Sequence, residues 1–343
     1  AKREYEFTVT DTAGNQYNAS GKQEAGAVIR LKDGGSVTLE NLPEGTYTVI
    51  EKTAGEEGYL WKSEVTVTGK NTEEATTASA EVTDGNETTV SFKNTYKKFT
   101  EVELQLNAKK NLTGRALTED EFEFLVTSEN KVGLTLPGKI FTNDKNGNIV
   151  ITGIVFSEEG RYILTVEEKK GENAGITYDS TKYNVTVNVK ANAEGDLKTE
   201  IESIKKKGEE KNENQIVFNN IYTATANFTL TASKSMKAES EQLGTFEFEL
   251  SGDNIESQTV TNNEAGAITF APIHYNLSDV GNTYTYTVRE KAPSTEAQYK
   301  TDGIKYVYDT TVYTVKVKVE DNGDGTLKLT KTVKIGEKDY TDP

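Results

Sequence analysis

Three residue types interrupt otherwise apolar stripes: two that could be joined covalently and one that could promote the joining. In "VELQLNAKKNL" (102–112), Val102, Leu104, Leu106, Ala108 and Leu112 alternate, and Lys110 sits in the same stripe. Alternation at period two places all six side chains on one face of a strand. In "YILTVEE" (162–168), Tyr162, Leu164 and Val166 share a face with Glu168. In "IVFNNIY" (216–222), Ile216, Phe218 and Tyr222 share a face with Asn220. A lone buried charge is costly, so a lysine aimed at an interior needs a partner. Lys109 alternates to the opposite face, which makes Lys110 the candidate.

The pattern recurs twice. Phe228, Leu230, Ala232 and Met236 share a face with Lys234, and Tyr284, Tyr286 and Val288 share one with Glu290. Tyr47 and Val49 share a face with Glu51, while Val90, Phe92 and Tyr96 share one with Asn94. Each residue alone has a plain reading: a lysine at a strand end reaches for water, and a glutamate after an aromatic marks the end of a strand. The same types recurring in the same order argue against that reading.

Lysine, glutamate and asparagine in an apolar pocket suit one reaction. Burial lowers a lysine pKa and raises a glutamate pKa. The neutral amine is a nucleophile. A protonated glutamate is expected to donate to the asparagine carbonyl and then to shuttle protons as the amine adds. The product is an amide from lysine Nζ to asparagine Cγ, with ammonia released. Such a self-directed, single-turnover reaction needs only proximity and exclusion of water.

The elements that would position these residues are strands. Alternating segments are bounded by "DTAGNQ", "LKDGGS", "VTDGNE", "NDKNGN" and "EDNGDGT", which read as hairpin signals. Only "LTEDEFEF" and "APSTEAQ" leave room for a short helical turn. The expected class is all-β, with sandwiches as the architecture.

The chain also repeats. "LNAKKNLTGRALTEDEFEFLV" (106–126) reappears as "LTASKSMKAESEQLGTFEFEL" (230–250), and "GRYILTVEEK" (160–169) as "NTYTYTVREK" (282–291). "ITYDSTKYNVTVNV" (176–189) reappears as "YVYDTTVYTVKVKV" (306–319). Residues 1–97 fit a shorter relative through "EYEFTV", "GTYTVIEK" and "VSFKNTYK". Three modules follow, 1–97, 98–224 and 225–343. The joints "NTYKKFTEV" and "NNIYTATANF" hold no Gly/Ser or Pro run, so an elongated, stiff rod is expected.

"AKKNLTGR" with Lys110, "YILTVEE" with Glu168, "VFNNIY" with Asn220 and "ITYDSTKYNVTV" resemble the isopeptide-bond domains of Gram-positive surface proteins. The similarity is to Cna B-type and streptococcal major-pilin modules, which are immunoglobulin-like β-sandwiches. It extends over essentially the whole chain. It implies a Lys110–Asn220 crosslink promoted by Glu168, and it pairs Lys234 with Glu290 and Asn94 with Glu51. It also implies a structural stalk of an adhesin or pilus, extracellular and attached to the cell wall. In the terminal modules the pattern is incomplete. The lysine of the first is expected before residue 1, since Lys2 has the wrong spacing, and the asparagine of the third after Pro343. The plain expectation is a trimmed chain; completion by neighbouring chains is the alternative.

Composition narrows the rest. A net charge of −16 disfavours nucleic acid and anionic membrane surfaces as partners. No apolar run is long enough to span a bilayer, no leader opens the chain, and no "LPxTG" sorting signal is present. With no cysteine and a single histidine, His274, thiol chemistry, a catalytic triad and a multi-histidine metal site lack material. His274 reads as a partly buried loop residue. No cofactor and no metal are expected. "DNGDGT" and "NDKNGN" lack the distal glutamate of a calcium loop. No acid pair stands out for a hydrolase. The rival function is an adhesin head recognising a host glycan or matrix protein, with Trp61 and the tyrosines lining its site.

Overall fold

The structure is a computed structural model and describes residues 3–52, 55–236, 243–293 and 305–340. It is all-β apart from one 3-10 turn, Leu277–Asp279, among the described residues. The sheets group into three segments of the chain. The first segment holds a four-stranded and a three-stranded sheet, and the third a six-stranded sheet with two short pairs.

The middle segment is a sandwich of two five-stranded sheets. Its lysine strand, Val102–Thr113, lies beside its asparagine strand, Ile216–Tyr222, in parallel register. The glutamate strand, Gly160–Lys169, lies in the other sheet. All three alternate buried and exposed residues through their central stretches, as the apolar stripes require. Phe218 joins the layers, with ring centroids 5.2 Å from Phe124 and 5.4 Å from Tyr183. Edge-to-face and tilted aromatic contacts of this kind add to burial.

All five glycine-bearing segments are turns with a glycine at positive φ: Gly14, Gly34, Gly85, Gly147 and Gly323. Only 320–326 joins two strands that pair with one another in a long ladder. The turns at 82–87 and 143–148 instead carry the chain from one sheet to another. Turn residues specify where the chain reverses; packing specifies which sheet it enters next. "LTEDEFEF" is a turn followed by the strand Glu123–Ser128, and no helix forms there. Of "APSTEAQ", residues 294–298 lie outside the described residues, as does Lys2. His274 is exposed in the strand Ile273–Asn276 rather than half-buried in a loop, because alternation turns Ile273 and Tyr275 inward.

The joints are held by main-chain hydrogen bonds. Phe99 N–H donates to Gly58 O and Thr100 N–H to Gly195 O. Thr223 N–H donates to Gly175 O and Thr225 N–H to Gly325 O.

Candidate functional site

Lys110, Glu168 and Asn220 meet between the two sheets of the middle segment. Lys110 Nζ lies 2.7 Å from Glu168 Oε2, and both side chains are fully buried. Asn220 Nδ2 donates to Glu168 Oε1 at 2.7 Å. The Lys110 and Asn220 nitrogens therefore sit on the two oxygens of one carboxylate. Asn220 Oδ1 accepts from the main-chain N–H of Asp179 at 2.7 Å. A main-chain N–H can only donate, so this contact fixes which end of the amide is oxygen. The glutamate was expected to polarise the asparagine carbonyl; here a main-chain N–H does so, and Glu168 faces the amide nitrogen.

Burial acts on both charges. It pushes the Lys110 amine below its ordinary value, against the opposing pull of Glu168. It pushes Glu168 above the usual carboxylate range, against the bonds from Lys110 and Asn220. Proton transfer within the pair is thus favoured over its position in water.

The lysine is placed by its surroundings. Its Nζ lies 4.6 Å from the Phe122 ring centroid. Phe122 N–H donates to Oδ1 of buried Asn143, whose Nδ2 donates to Thr118 O and Asp144 O. Gly147, at φ +81°, packs against the lysine backbone: a Cβ there would lie 2.0 Å from Lys110 O. Lys109 faces out, with Nζ on Asn146 O and Asn148 Oδ1.

The third segment repeats this geometry. Lys234 Nζ lies 2.7 Å from Glu290 Oε2 and 2.9 Å from Oε1, and 4.7 Å from the Phe246 centroid. Asn262 accepts from Phe246 N–H, and a Cβ on Gly266 would lie 2.2 Å from Lys234 O. Asp309 N–H donates to Glu290 Oε2.

The first segment holds the other two members. Asn94 Nδ2 donates to Glu51 Oε1 at 2.6 Å, and Trp61 Nε1–H donates to Asn94 Oδ1 at 2.6 Å. Ser63 Oγ takes the second Glu51 oxygen, where the middle segment has lysine. Glu51 and Asn94 line a cleft of about 1210 Å³ with Phe7, Tyr47 and Phe92.

The structure brings the nominated residues into contact as one trio, Lys110–Glu168–Asn220, and two pairs, Lys234–Glu290 and Glu51–Asn94. The sequence stripes did not indicate Asp179, Asn143, Ser63 or the role of Trp61. The one available signal was repetition: "TYDST" and "VYDTT" place Asp179 and Asp309 alike.

Comparison with known proteins adds the family. The Spy0128-like isopeptide containing domain matches residues 106–223 and again 230–342. A domain of unknown function (DUF7601) matches residues 1–96. No curated protein matches the chain. Among solved structures, the major pilin of Streptococcus pyogenes is 19% identical, covering 67% of this chain and 98% of that chain, with a TM-score of 0.30. The T3.2 major pilin of the same organism is 20% identical, covering 66% and 90%, with a TM-score of 0.27. Its T-13 counterpart is 16% identical, covering 69% and 100%, with a TM-score of 0.30. Two consecutive matches to one family, over well more than half of the chain, place this protein in the Spy0128-like isopeptide-containing domain family.

Proposed function

We propose that this chain is a structural, load-bearing segment of a Gram-positive surface pilus, stiffened by an amide bond that Lys110 forms with Asn220. The single observation that carries the reading is the bridging carboxylate: Lys110 Nζ and Asn220 Nδ2 on opposite oxygens of buried Glu168. The neutral amine attacks Asn220 Cγ. Glu168 takes a proton from Nζ through Oε2 and delivers one to Nδ2 through Oε1. The Cγ–Nδ2 bond breaks, ammonia leaves, and the glutamate ends with the protons it began with. This is a single turnover, so the chain is not an enzyme in the ordinary sense.

The bond would join the lysine and asparagine strands and shunt tension past the rest of the sandwich. Closing roughly 100 residues stabilises by about 4–5 kcal/mol in the loop-entropy account. Lys234–Glu290 and Glu51–Asn94 are sites of the same kind, each with two of the three members among the described residues. The module boundaries 1–97, 98–224 and 225–343 belong to this reading, as does attachment at the outer cell surface. The test is the intact mass of the denatured protein, followed by mapping of crosslinked peptides. A mass one ammonia below the sequence, with the Lys110 and Asn220 peptides joined, supports the proposal. An unshifted mass overturns it.

A further inference from the structure

We propose that the crosslinking site contains a dedicated oxyanion donor, the main-chain N–H of Asp179, and that the Asp179 side chain is the positioning residue that holds this donor on the Asn220 carbonyl. The inference rests on the crosslinking reading and adds to it a group other than lysine, glutamate and asparagine.

When the amine adds to Asn220 Cγ, negative charge develops on Oδ1. Both oxygens of Glu168 are engaged by nitrogens, so neither stabilises that charge. The group in contact with Oδ1 is the Asp179 N–H, at 2.7 Å. A preorganised donor aimed at a developing oxyanion in a buried site is among the strongest catalytic devices available.

The local fold explains how one N–H comes to point there. The short strand Ile176–Thr177 pairs with the end of the asparagine strand, Ile176 opposite Tyr222 and Thr177 opposite Ile221. The chain then leaves that sheet and enters the other at the strand Lys182–Ala191. Asp179 lies in this crossing. Its carboxylate accepts from Asn219 N–H through Oδ2 and from Thr181 N–H through Oδ1, both at 2.8 Å. The main chain and side chain of one residue therefore grip Asn220 and its neighbour together. Although burial opposes it, the bonds from Thr181 and Asn219 hold the Asp179 carboxyl below its usual range, so it acts as an ionised acceptor.

The first segment supports the same division of labour, whereas the third shares the aspartate clamp but directs its N–H to the glutamate. Asp309 likewise accepts from Thr311 N–H, and its own N–H points into the site, onto Glu290 Oε2. In the first segment the donor to the amide oxygen is Trp61 Nε1–H, again not the glutamate. Three sites thus each aim an N–H inward from an element other than the glutamate strand.

The experiment compares the full chain with Asp179→Ala and Asp179→Asn. Newly made protein is pulse-labelled and chased, and crosslinking is read as ammonia loss and altered mobility on denaturing gels. Asp179→Ala releases the clamp and is expected to slow closure by about a hundredfold. Asp179→Asn keeps an accepting oxygen and should recover part of the rate. In a Lys110→Ala background, where no bond forms, the coupling through the hydrogen bond from Asp179 15N to Asn220 13Cγ should be present and should vanish with Asp179→Ala. That signature separates loss of the donor from a general loss of stability. If Asp179→Ala fails to fold, Asp179→Asn decides: closure at the wild-type rate overturns the proposal. Wild-type closure rates in both variants also overturn it, with the crosslink itself intact. An unshifted wild-type mass removes the crosslinking reading and this inference with it.

Discussion

Lys110 faces Phe218 across the parallel ladder, one same-face step short of Asn220, which faces Leu112. Two residues of strand advance about 6–7 Å. A lysine stem covers that distance, and its tip then meets the carboxylate arriving from the opposite sheet. The site is thus a consequence of register. A one-residue slip would turn Lys110 or Asn220 out of the core.

Because the pair outlives loss of the asparagine, two truncations should differ. With the proposed crosslink in place, Asn220→Ala would remove it and leave the Lys110–Glu168 pair, costing about 4–5 kcal/mol. Lys110→Ala removes the crosslink and also strands Glu168 without its partner, costing about 3 kcal/mol more. Urea unfolding followed by circular dichroism measures both. An Asn220→Ala chain that unfolds at the wild-type midpoint would show that no bond had been lost.

The uncrosslinked pair should also carry a pH signature. Burial raises Glu168 above 4.5, so its contribution to stability is present below 4.5 and is lost as pH rises through the folded value. Burial lowers Lys110 below 10.5, so its contribution is present above 10.5 and is lost as pH falls through the folded value. Asn220→Ala is therefore least stable between these limits. Its stability is best compared with that of a chain that also carries Lys110→Met and Glu168→Leu. The apolar variant should gain most near neutrality, and a pH-independent difference would contradict the burial argument.

The stripes made the three candidate residues legible because a polar side chain in a period-two apolar run has few places to go. They also gave the all-β class. The donors were not legible. Asp179 lies in a crossing between sheets, outside any stripe, and its N–H is common to nearly every residue. Trp61 and Ser63 reach Asn94 and Glu51 through a cross-strand register that pairs Ser63 with Asn94, and no local pattern specifies it. The turn 143–148 read as a hairpin signal, yet it crosses between sheets and packs on the lysine.

That packing gives a test of lysine placement. Gly147→Ala would set a Cβ 2.0 Å from Lys110 O at a φ of +81°. Gly138 is also at positive φ, +61°, but a Cβ there meets nothing within 4 Å. Gly138→Ala should cost about 1 kcal/mol from backbone strain alone. Gly147→Ala should cost about 2–3 kcal/mol and slow ammonia loss as well. Equal effects of the two substitutions on stability and on closure would mean that the glycine does not position the lysine.

The joint between the middle and third segments contains a second close approach. A Cβ on Gly175 would lie 2.5 Å from Gly325 Cα and 2.7 Å from the Tyr222 ring. Tyr222 Oη donates to Asp321 Oδ1 at 2.6 Å and accepts from Gly325 N–H at 3.3 Å. Tyr222 also ends the asparagine strand, two residues beyond Asn220. Gly175→Ala must push the Gly325 turn away and lengthen the bonds that Thr223 and Thr225 N–H make to Gly175 O and Gly325 O. Hydrogen exchange at those two amides should speed up by about tenfold or more, the equivalent of one lost hydrogen bond. Tyr222→Phe, which keeps the ring and loses the hydroxyl, should produce a smaller change at Thr225 alone. Unchanged protection of both amides in Gly175→Ala would mean that the two glycines touch without holding the joint.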